Sequence, residues 1–285
     1  MSAFPTSIKY DIPVVDGDAM GRAYPTMYHA LLYVYDQPIT PCALTDAKGN
    51  VSVIMEADSP VRVEKLLRTT AVELGLGCAV VARPLDGEVV KRYAVPNTIS
   101  QAWYLGRAVQ LARRSKTNLV DAIFATTTGR LLFSGKIVDV RRDISGGYTM
   151  GSVLLAPLEA DEMDESARTT ANGTQQERRH MLIPFQNEYL YAAWADADGA
   201  ARPDGIVCTV PDLISVLGQD GEALGSQELR YGLRVSVIGM PAHPLWKTDK
   251  GLQVGGPAGF KLDIPYVGVG EYSPPRSVIE EFGTA

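Results

Sequence analysis

The strongest constraint on the fold lies near the start of the chain, where a short apolar run opens into a loop of carboxylates and glycines. Residues Ile12 to Val15 are typical of a buried strand, and Asp16, Gly17 and Asp18 follow directly. In α/β proteins such strand ends commonly carry the chemistry. A parallel strand needs neighbours and helical cover, and too few residues precede Ile12 to form a crossover unit. Either the first domain is incomplete, or another part of the chain supplies the neighbours.

The chain up to residue 128 predicts helices mixed with short strands. Ser59 is a favourable N-cap, and Pro60 suits the first position of the helix that follows. On this helix Glu64 and Arg68 are expected to pair on the solvent side. The other elements expected here are strands at Cys78 to Ala82 and Val89 to Val95, and helices after Asn97 and over Leu119 to Ala125.

From residue 129 onwards, short apolar runs alternate with turns such as Gly146-Gly147, which is typical of a β-rich domain. The expected strands are Leu131 to Val140, Tyr148 to Leu155, Met181 to Phe185, Tyr189 to Trp194, Ile206 to Thr209 and Leu233 to Ile238. Their number favours a sandwich or a distorted barrel. We therefore predict an α/β plus mainly-β chain. An incomplete N-terminal α/β domain spans residues 1–128, a β-rich domain residues 129–270, and a loose tail residues 271–285.

Composition excludes several classes of function. The 285 residues carry a net charge of −6 without a basic block, so nucleic acid is not an expected partner. Apolar runs are far shorter than a membrane span, so no membrane association is expected. Three widely spaced cysteines suit a reducing, cytoplasmic compartment. Three histidines, without GxSxG or GxxxxGK[ST] spacing, argue against a His-rich binuclear site, an α/β-hydrolase triad and a P-loop.

The loop after Val15 contains the first candidate site residues. Asp16 and Asp18 are two residues apart at a strand end, so their carboxylates are expected on the same side. They could hold a cation, or one could act as a base while the other orients it. The alternative is a charged surface loop in which Arg22 pairs with Asp18.

Two further segments carry candidates. Gln186-Asn187-Glu188 separates two strands and could be a simple turn, although its amides and carboxylate also suit recognition of an imide ring. His243 lies between two prolines and could join Asp16 and Asp18 in holding a metal ion, although a lone histidine is more often a packing residue. Asp212 is expected to begin a short helix.

Seven segments, in the same order along the chain, resemble the S-methyl-thiohydantoin desulfurase family, whose members occur beside hydantoinase/oxoprolinase enzymes. The segments are Asp16 to Pro25, Pro38 to Asn50, Phe133 to Val140, Phe185 to Glu188, Val210 to Ile214, Glu228 to Val235 and Gly239 to Trp246. The resemblance implies an N-terminal α/β domain followed by a β-rich domain. Family members carry a further upstream part with a glycine-rich segment, so the resemblance also implies that this chain holds only the end of the first domain.

The resemblance implies hydrolysis of a hydantoin, a thiohydantoin or a related cyclic imide. Asp16 or Asp18 would then act as the base or hold a divalent metal ion. Arg22 would bind a substrate carboxylate, and Asn187 and Glu188 would contact the ring. The competing hypothesis is a non-catalytic subunit or truncated relic that binds a hydantoinase/oxoprolinase partner. Because an unpaired edge at Ile12 to Val15 would leave apolar surface uncovered, a homo-oligomer is expected.

Overall fold

The computed structural model describes residues 3–158 and 179–283. The α-helices are α1 (Ala3–Tyr10), α2 (Leu31–Val34), α3 (Pro60–Glu73), α4 (Gly87–Tyr93), α5 (Thr98–Ser115), α6 (Leu119–Phe124), α7 (Asp249–Gly255) and α8 (Val278–Phe282). Short 3-10 helices occur at Met27–His29, Pro244–Lys247 and Pro257–Phe260. None of the helices in the described ranges is long and apolar enough to cross a membrane.

The strands of the first half are β1 (Gly17–Asp18), β2 (Cys42–Asp46), β3 (Val51–Ile54), β4 (Cys78–Val81) and β5 (Val95–Pro96). Those of the second half are β6 (Arg130–Ser145), β7 (Tyr148–Pro157), β8 (His180–Gln186), β9 (Glu188–Tyr189), β10 (Tyr191–Ala195), β11 (Ala201–Thr209), β12 (Leu213–Leu217), β13 (Ala223–Leu224) and β14 (Arg234–Met240).

The second half forms one antiparallel sheet in the order β11-β10-β8-β7-β6-β14-β12-β13, with β9 paired to β8. Within the described residues the path of paired strands runs from β11 to β13 without returning, so the sheet is not closed into a barrel. The β-rich character of this region is confirmed. The expected sandwich or distorted barrel is corrected to a single open sheet. Register shifts at Ile137/Asp139 and Val237/Ile238 bend its long strands, as β-bulges do.

One face of this sheet carries the main core. On β8 the side chains of Met181, Ile183 and Phe185 alternate with more exposed neighbours and are almost fully buried. Val153 and Leu155 of β7 lie in the same apolar cluster. The two-residue period of the sequence therefore marks the buried face correctly.

A smaller antiparallel sheet, β3-β2-β4, lies in the N-terminal part and packs against α3. Ser59 caps α3 as expected, accepting from the Arg62 N–H at 3.2 Å. Glu64 pairs with Arg68 at 2.6 Å, but the pair is not on the solvent side, because Glu64 is only 6% exposed. The second carboxylate oxygen of Glu64 accepts from the Met27 N–H, so the carboxylate lies on the buried side of α3.

Two strand predictions in this region are wrong. Residues 12–15 are irregular, with Ile12 and Val15 more than half exposed, and the strand is instead β1, which pairs antiparallel with β5. Residues 12–15 therefore do not form the buried parallel strand that the sequence predicts. The segment Val89 to Val95 is mostly the helix α4, because Asp86 caps it by accepting from the Val89 N–H at 2.9 Å. The domain boundaries at 128 and 270 stay predictions.

Asp212 is a buried carboxylate that joins distant segments of the chain, and the helix predicted to begin at this residue is absent. It directly precedes β12, and its side chain accepts from the Ala242 N–H, the Tyr266 hydroxyl and the Val269 N–H at 2.8–2.9 Å. The residue is fully buried. It therefore joins the start of β12 to the segment after β14 and to the chain near residue 269.

We expect Asp212→Ala to lower the free energy of unfolding by about 3 kcal/mol or more, because three buried donors lose their acceptor. Asp212→Asn keeps one carbonyl oxygen and should lose less. Denaturant unfolding monitored by circular dichroism measures both variants. The exposed Asp263→Ala is the matched control, and an Asp212→Ala midpoint equal to that of the control would contradict the assignment.

Candidate active site

A cavity of about 530 Å³ lies where the N-terminal loop, the start of α5 and the segment after β14 meet. Its wall includes apolar side chains such as Val95, Leu105 and Met240. Its polar lining includes Asp18, Thr98, Gln101, Thr127, His243 and Tyr272. A cavity of this size, apolar with a few convergent polar groups, is typical of small-molecule sites.

Asp18 is held in a fixed position at the cavity wall. One carboxylate oxygen accepts from the Met20 N–H at 2.5 Å and from the Gly21 N–H at 2.6 Å. Gly21 has a φ of +70°, and a Cβ there would lie 3.1 Å from a Val95 methyl carbon, so only glycine suits this turn. The buried Trp246 secures the loop by donating from its indole N–H to the Met20 carbonyl at 2.7 Å.

His243 lines the same cavity as Asp18. Its Nδ1 accepts from the Leu245 N–H at 3.3 Å, so a neutral ring carries its proton on Nε2. Burial lowers the pKa of His243 from its usual 6.5, and the nearby charge of Asp18 opposes this only in part. At neutral pH the imidazole is therefore neutral and offers an N–H to a ligand.

Tyr272 completes this polar group. Its ring lies edge-on to the His243 ring, with centroids 5.2 Å apart at an interplanar angle of 77°. Burial raises the pKa of Tyr272, and the charge of Asp18 raises it further, so the phenol keeps its proton at neutral pH. Asp18, His243 and Tyr272 together offer one carboxylate and two donors.

Asp16 lies outside this group and caps α5. One of its oxygens accepts from the N–H groups of Ile99 and Ser100 at 3.0 and 3.1 Å, and the other accepts from the Ser100 hydroxyl. A carboxylate at this position also favours the positive end of the helix. Asp16 thus carries three hydrogen bonds that hold the cavity wall, and its predicted role as a base stays untested.

Arg22 lines the cavity, but its guanidinium is occupied. It donates to the carbonyls of Pro211 and Asp212 at 3.0 and 2.9 Å, to Tyr189 at 3.4 Å, and to Ala23 at 2.9 Å. Only 9% of the residue is exposed. This arrangement favours attachment of the N-terminal loop to the large sheet over binding of a substrate carboxylate.

Asn187 and Glu188 are not among the residues that line this cavity. Asn187 forms the turn between β8 and β9 with a φ of +59°, and its side chain accepts from the Thr149 N–H at 2.7 Å. Glu188 keeps Oε2 buried without a hydrogen-bond partner among the described residues. Burial raises the pKa of Glu188, while the charges of Arg22 and Arg68 oppose the rise.

Asp16, Asp18 and His243 are the residues predicted above to hold a divalent metal ion. The structure separates Asp16 from the other two, because Asp16 caps α5 with both oxygens hydrogen-bonded. Across residues 3–158 and 179–283, no group of three His, Cys, Asp or Glu side chains could hold a metal ion. The three side chains are therefore not arranged as a ligand set.

Tyr272 is the site residue that sequence reasoning missed. It follows Gly270-Glu271 in a segment rich in glycine and proline, which is typical of a loose terminus. Its position depends on contacts between its segment and distant parts of the chain, which no local pattern encodes. The aromatic side chain of Tyr272 itself is the feature of the sequence that could have suggested a packed position.

The buried carboxylate of Glu188, whose Oε2 has no hydrogen-bond partner among the described residues, affects the stability of the fold. Its folded pKa is raised above the ordinary 4.5, so ionisation disfavours the folded state, and stability is lost as the pH rises through the folded pKa. We expect Glu188→Gln to be more stable than the wild type at pH 7, with the difference vanishing below pH 4.5. Denaturant unfolding across this range, with exposed Glu56→Gln as control, measures the effect. A destabilised Glu188→Gln at pH 7 would show that Arg22 and Arg68 stabilise the ionised form.

Comparisons with known proteins agree with the resemblance. The model of the S-Me-THD-like N-terminal domain matches residues 1–56, and that of the S-Me-THD-like C-terminal domain matches residues 58–269. No match is found among curated proteins. A crystal structure of a protein from Chromobacterium violaceum is similar with a TM-score of 0.64 and 20% identity, over 94% of this chain and 68% of that one.

At 20% identity the structural likeness establishes the fold alone. The two family models, however, cover most of the chain and include the loop of Asp18 as well as His243. This chain therefore belongs to the S-methyl-thiohydantoin desulfurase (S-Me-THD-like) family.

Proposed function

We propose that the protein is a hydrolase that acts on a hydantoin, a thiohydantoin or a related cyclic imide ring in the cavity of Asp18, His243 and Tyr272. The observation that carries the proposal is the placement of one carboxylate and a neutral imidazole in one cavity of about 530 Å³. A five-membered ring with a substituent fits a cavity of this volume. The family membership supports the thiohydantoin class.

In the proposed reaction, water attacks the ring carbon that bears the S-methyl group. Asp18 accepts a proton from that water, and the new C–O bond forms as charge moves onto the ring nitrogen. The Nε2–H of His243 stabilises that charge. The C–S bond then breaks, and methanethiol leaves with the proton held by Asp18. The proton of the new hydroxyl moves to the ring nitrogen as the ring carbonyl forms. Hydantoin and methanethiol are the products.

The assignment gives Arg22, Asn187 and Glu188 no substrate contact. The guanidinium of Arg22 is engaged by backbone carbonyls, and the other two residues lie outside the cavity lining. Asp18 differs from them, because it is exposed at the cavity and, among the described residues, only its Oδ1 accepts hydrogen bonds.

The direct test incubates the purified chain with an S-methyl-thiohydantoin, a thiohydantoin and a hydantoin. Released thiol or sulfide and the ring-opened product are measured separately, so the three reaction types are distinguished. A folded chain that converts none of them would favour the alternative, a non-catalytic subunit of a hydantoinase/oxoprolinase assembly. Sedimentation of the same sample tests the homo-oligomer expected from the sequence.

We expect Asp18→Asn to lower kcat about 10²- to 10⁴-fold, because the amide oxygen keeps the bonds from Met20 and Gly21 but cannot take a proton. The exposed Asp263→Asn is the matched control and should leave activity unchanged. Steady-state kinetics with the best of the three substrates measures both. Unchanged kcat in Asp18→Asn would remove Asp18 from the mechanism.

A pair of substitutions separates the two nitrogens of His243. In His243→Asn the side-chain oxygen can still accept from the Leu245 N–H, while the donor at Nε2 is lost; His243→Gln does the reverse. We expect the Asn variant to be stable but at least about 10²-fold slower, and the Gln variant to keep more activity. The opposite order would assign His243 a capping role only.

A further inference from the structure

Tyr272 carries a buried hydroxyl that the rest of the described chain leaves unsatisfied. Its oxygen has no solvent exposure and no hydrogen-bond partner among residues 3–158 and 179–283. Buried tyrosine hydroxyls normally find a partner, because an unpaired one loses its bonds to water without replacement. Since Tyr272 also lines the cavity, a molecule bound there can supply the missing partner when the atoms that cover the oxygen shift on binding.

The segment that carries Tyr272 is held against the start of α5. Asn97 donates from its amide to the Pro275 carbonyl at 3.1 Å, and the Val278 N–H donates to the Ser100 hydroxyl at 2.9 Å. The guanidinium of Arg276 lies 4.5 Å from the centre of the Tyr104 ring. The chain that follows Tyr272 is therefore attached to α5, while Gly270 and Glu271, which precede it, accept hydrogen bonds from Lys247 and Thr128.

Ser100 connects this segment to the N-terminal loop. Its hydroxyl donates to the Asp16 carboxylate and accepts from the Val278 N–H, and the residue is fully buried. One side chain thus joins the loop that leads into Asp18 with the segment that carries Tyr272.

We propose that Tyr272 is a substrate-contacting residue that donates its phenol O–H to an acceptor atom of the bound ring, a carbonyl oxygen or a ring nitrogen, and that Ser100 and Asp16 are the residues that position it. The proposal rests on the proposed function of the cavity. It assigns the phenol as donor because the raised pKa keeps it protonated. Tyr272 lies three residues beyond the last residue that the family model matches, so the contact belongs to a segment outside the family match.

The test removes the hydroxyl and nothing else. Tyr272→Phe keeps the ring and its edge contact with His243. We expect kcat/KM for the S-methyl-thiohydantoin to fall about 10- to 100-fold, while the thermal midpoint of the free protein stays unchanged or rises, because an unpaired buried group is removed. Tyr231→Phe, at a residue 78% exposed, is the control. A lower midpoint with unchanged kcat/KM would show a structural role and overturn the proposal.

The positioning role is tested by a double-mutant cycle. Ser100→Ala removes the acceptor for the Val278 N–H and should raise KM in the same direction as Tyr272→Phe. Because both changes act through one contact, the double variant should lose little more than Tyr272→Phe alone. Ser115→Ala, exposed at the other end of α5, is the matched control. Strict additivity of the two losses would overturn the positioning role.

Binding of unsubstituted hydantoin, measured by calorimetry, distinguishes the proposed hydrolysis from the proposed contact of Tyr272 with the ring. Turnover by the wild type with unchanged kcat/KM in Tyr272→Phe overturns only the role of Tyr272. Binding without turnover overturns the proposed hydrolysis, and a 10- to 100-fold weaker Kd in Tyr272→Phe then still supports the contact. A wild type that neither binds hydantoin nor converts any of the three rings overturns both.

Discussion

The guanidinium of Arg22 joins the N-terminal loop to the large sheet, and the cavity depends on that junction. Arg22 is almost fully buried and reaches the carbonyls of Pro211 and Asp212, which precede β12. A buried cation needs several acceptors to offset its loss of water, and these carbonyls supply them. Asp212 then uses its carboxylate to fix Ala242, next to His243. The chain of contacts thus runs from the loop of Asp18 to the segment of His243, which lines the same cavity.

The charged residues of the loop from Asp16 to Arg22 have two kinds of role. Asp16 and Arg22 satisfy backbone groups, at the start of α5 and before β12 respectively, and they act as parts of the wall. Asp18 uses one oxygen to shape its own turn and stays exposed at the cavity. Spacing alone does not separate these roles, since Asp16 and Asp18 are equivalent in a two-residue pattern. Their roles differ because Asp16, and not Asp18, accepts hydrogen bonds from the first turn of α5.

Local chemistry accounts for what could be predicted from the sequence. Ser59 with Pro60 marks the start of α3, and the alternation along Met181 to Phe185 marks a half-buried strand, because both signals act within a few residues. The predictions that are wrong or missing concern residues whose structure or partners depend on contacts beyond the local pattern. Val89 to Val95 is apolar enough for a strand, but the cap at Asp86 makes most of it a helix. Asp212 and Tyr272 take their partners and surroundings from segments that no sequence window contains.

The site is assembled from three segments that are distant in the chain, and α5 connects two of them. The Asn97 N–H donates to the Asp16 carbonyl at 2.8 Å, next to the loop of Asp18, while Ser100 accepts from the segment of Tyr272. A shift of the first turn of α5 would therefore act on the loop of Asp18 and on the chain that follows Tyr272. His243 would not follow, because it adjoins Ala242, which Asp212 attaches to the sheet. The relative position of the Asp18 carboxylate and the His243 imidazole thus depends on how the start of α5 is placed against the large sheet. Arg22 attaches the loop of Asp18 to that sheet, and Trp246 attaches the same loop to the segment after β14.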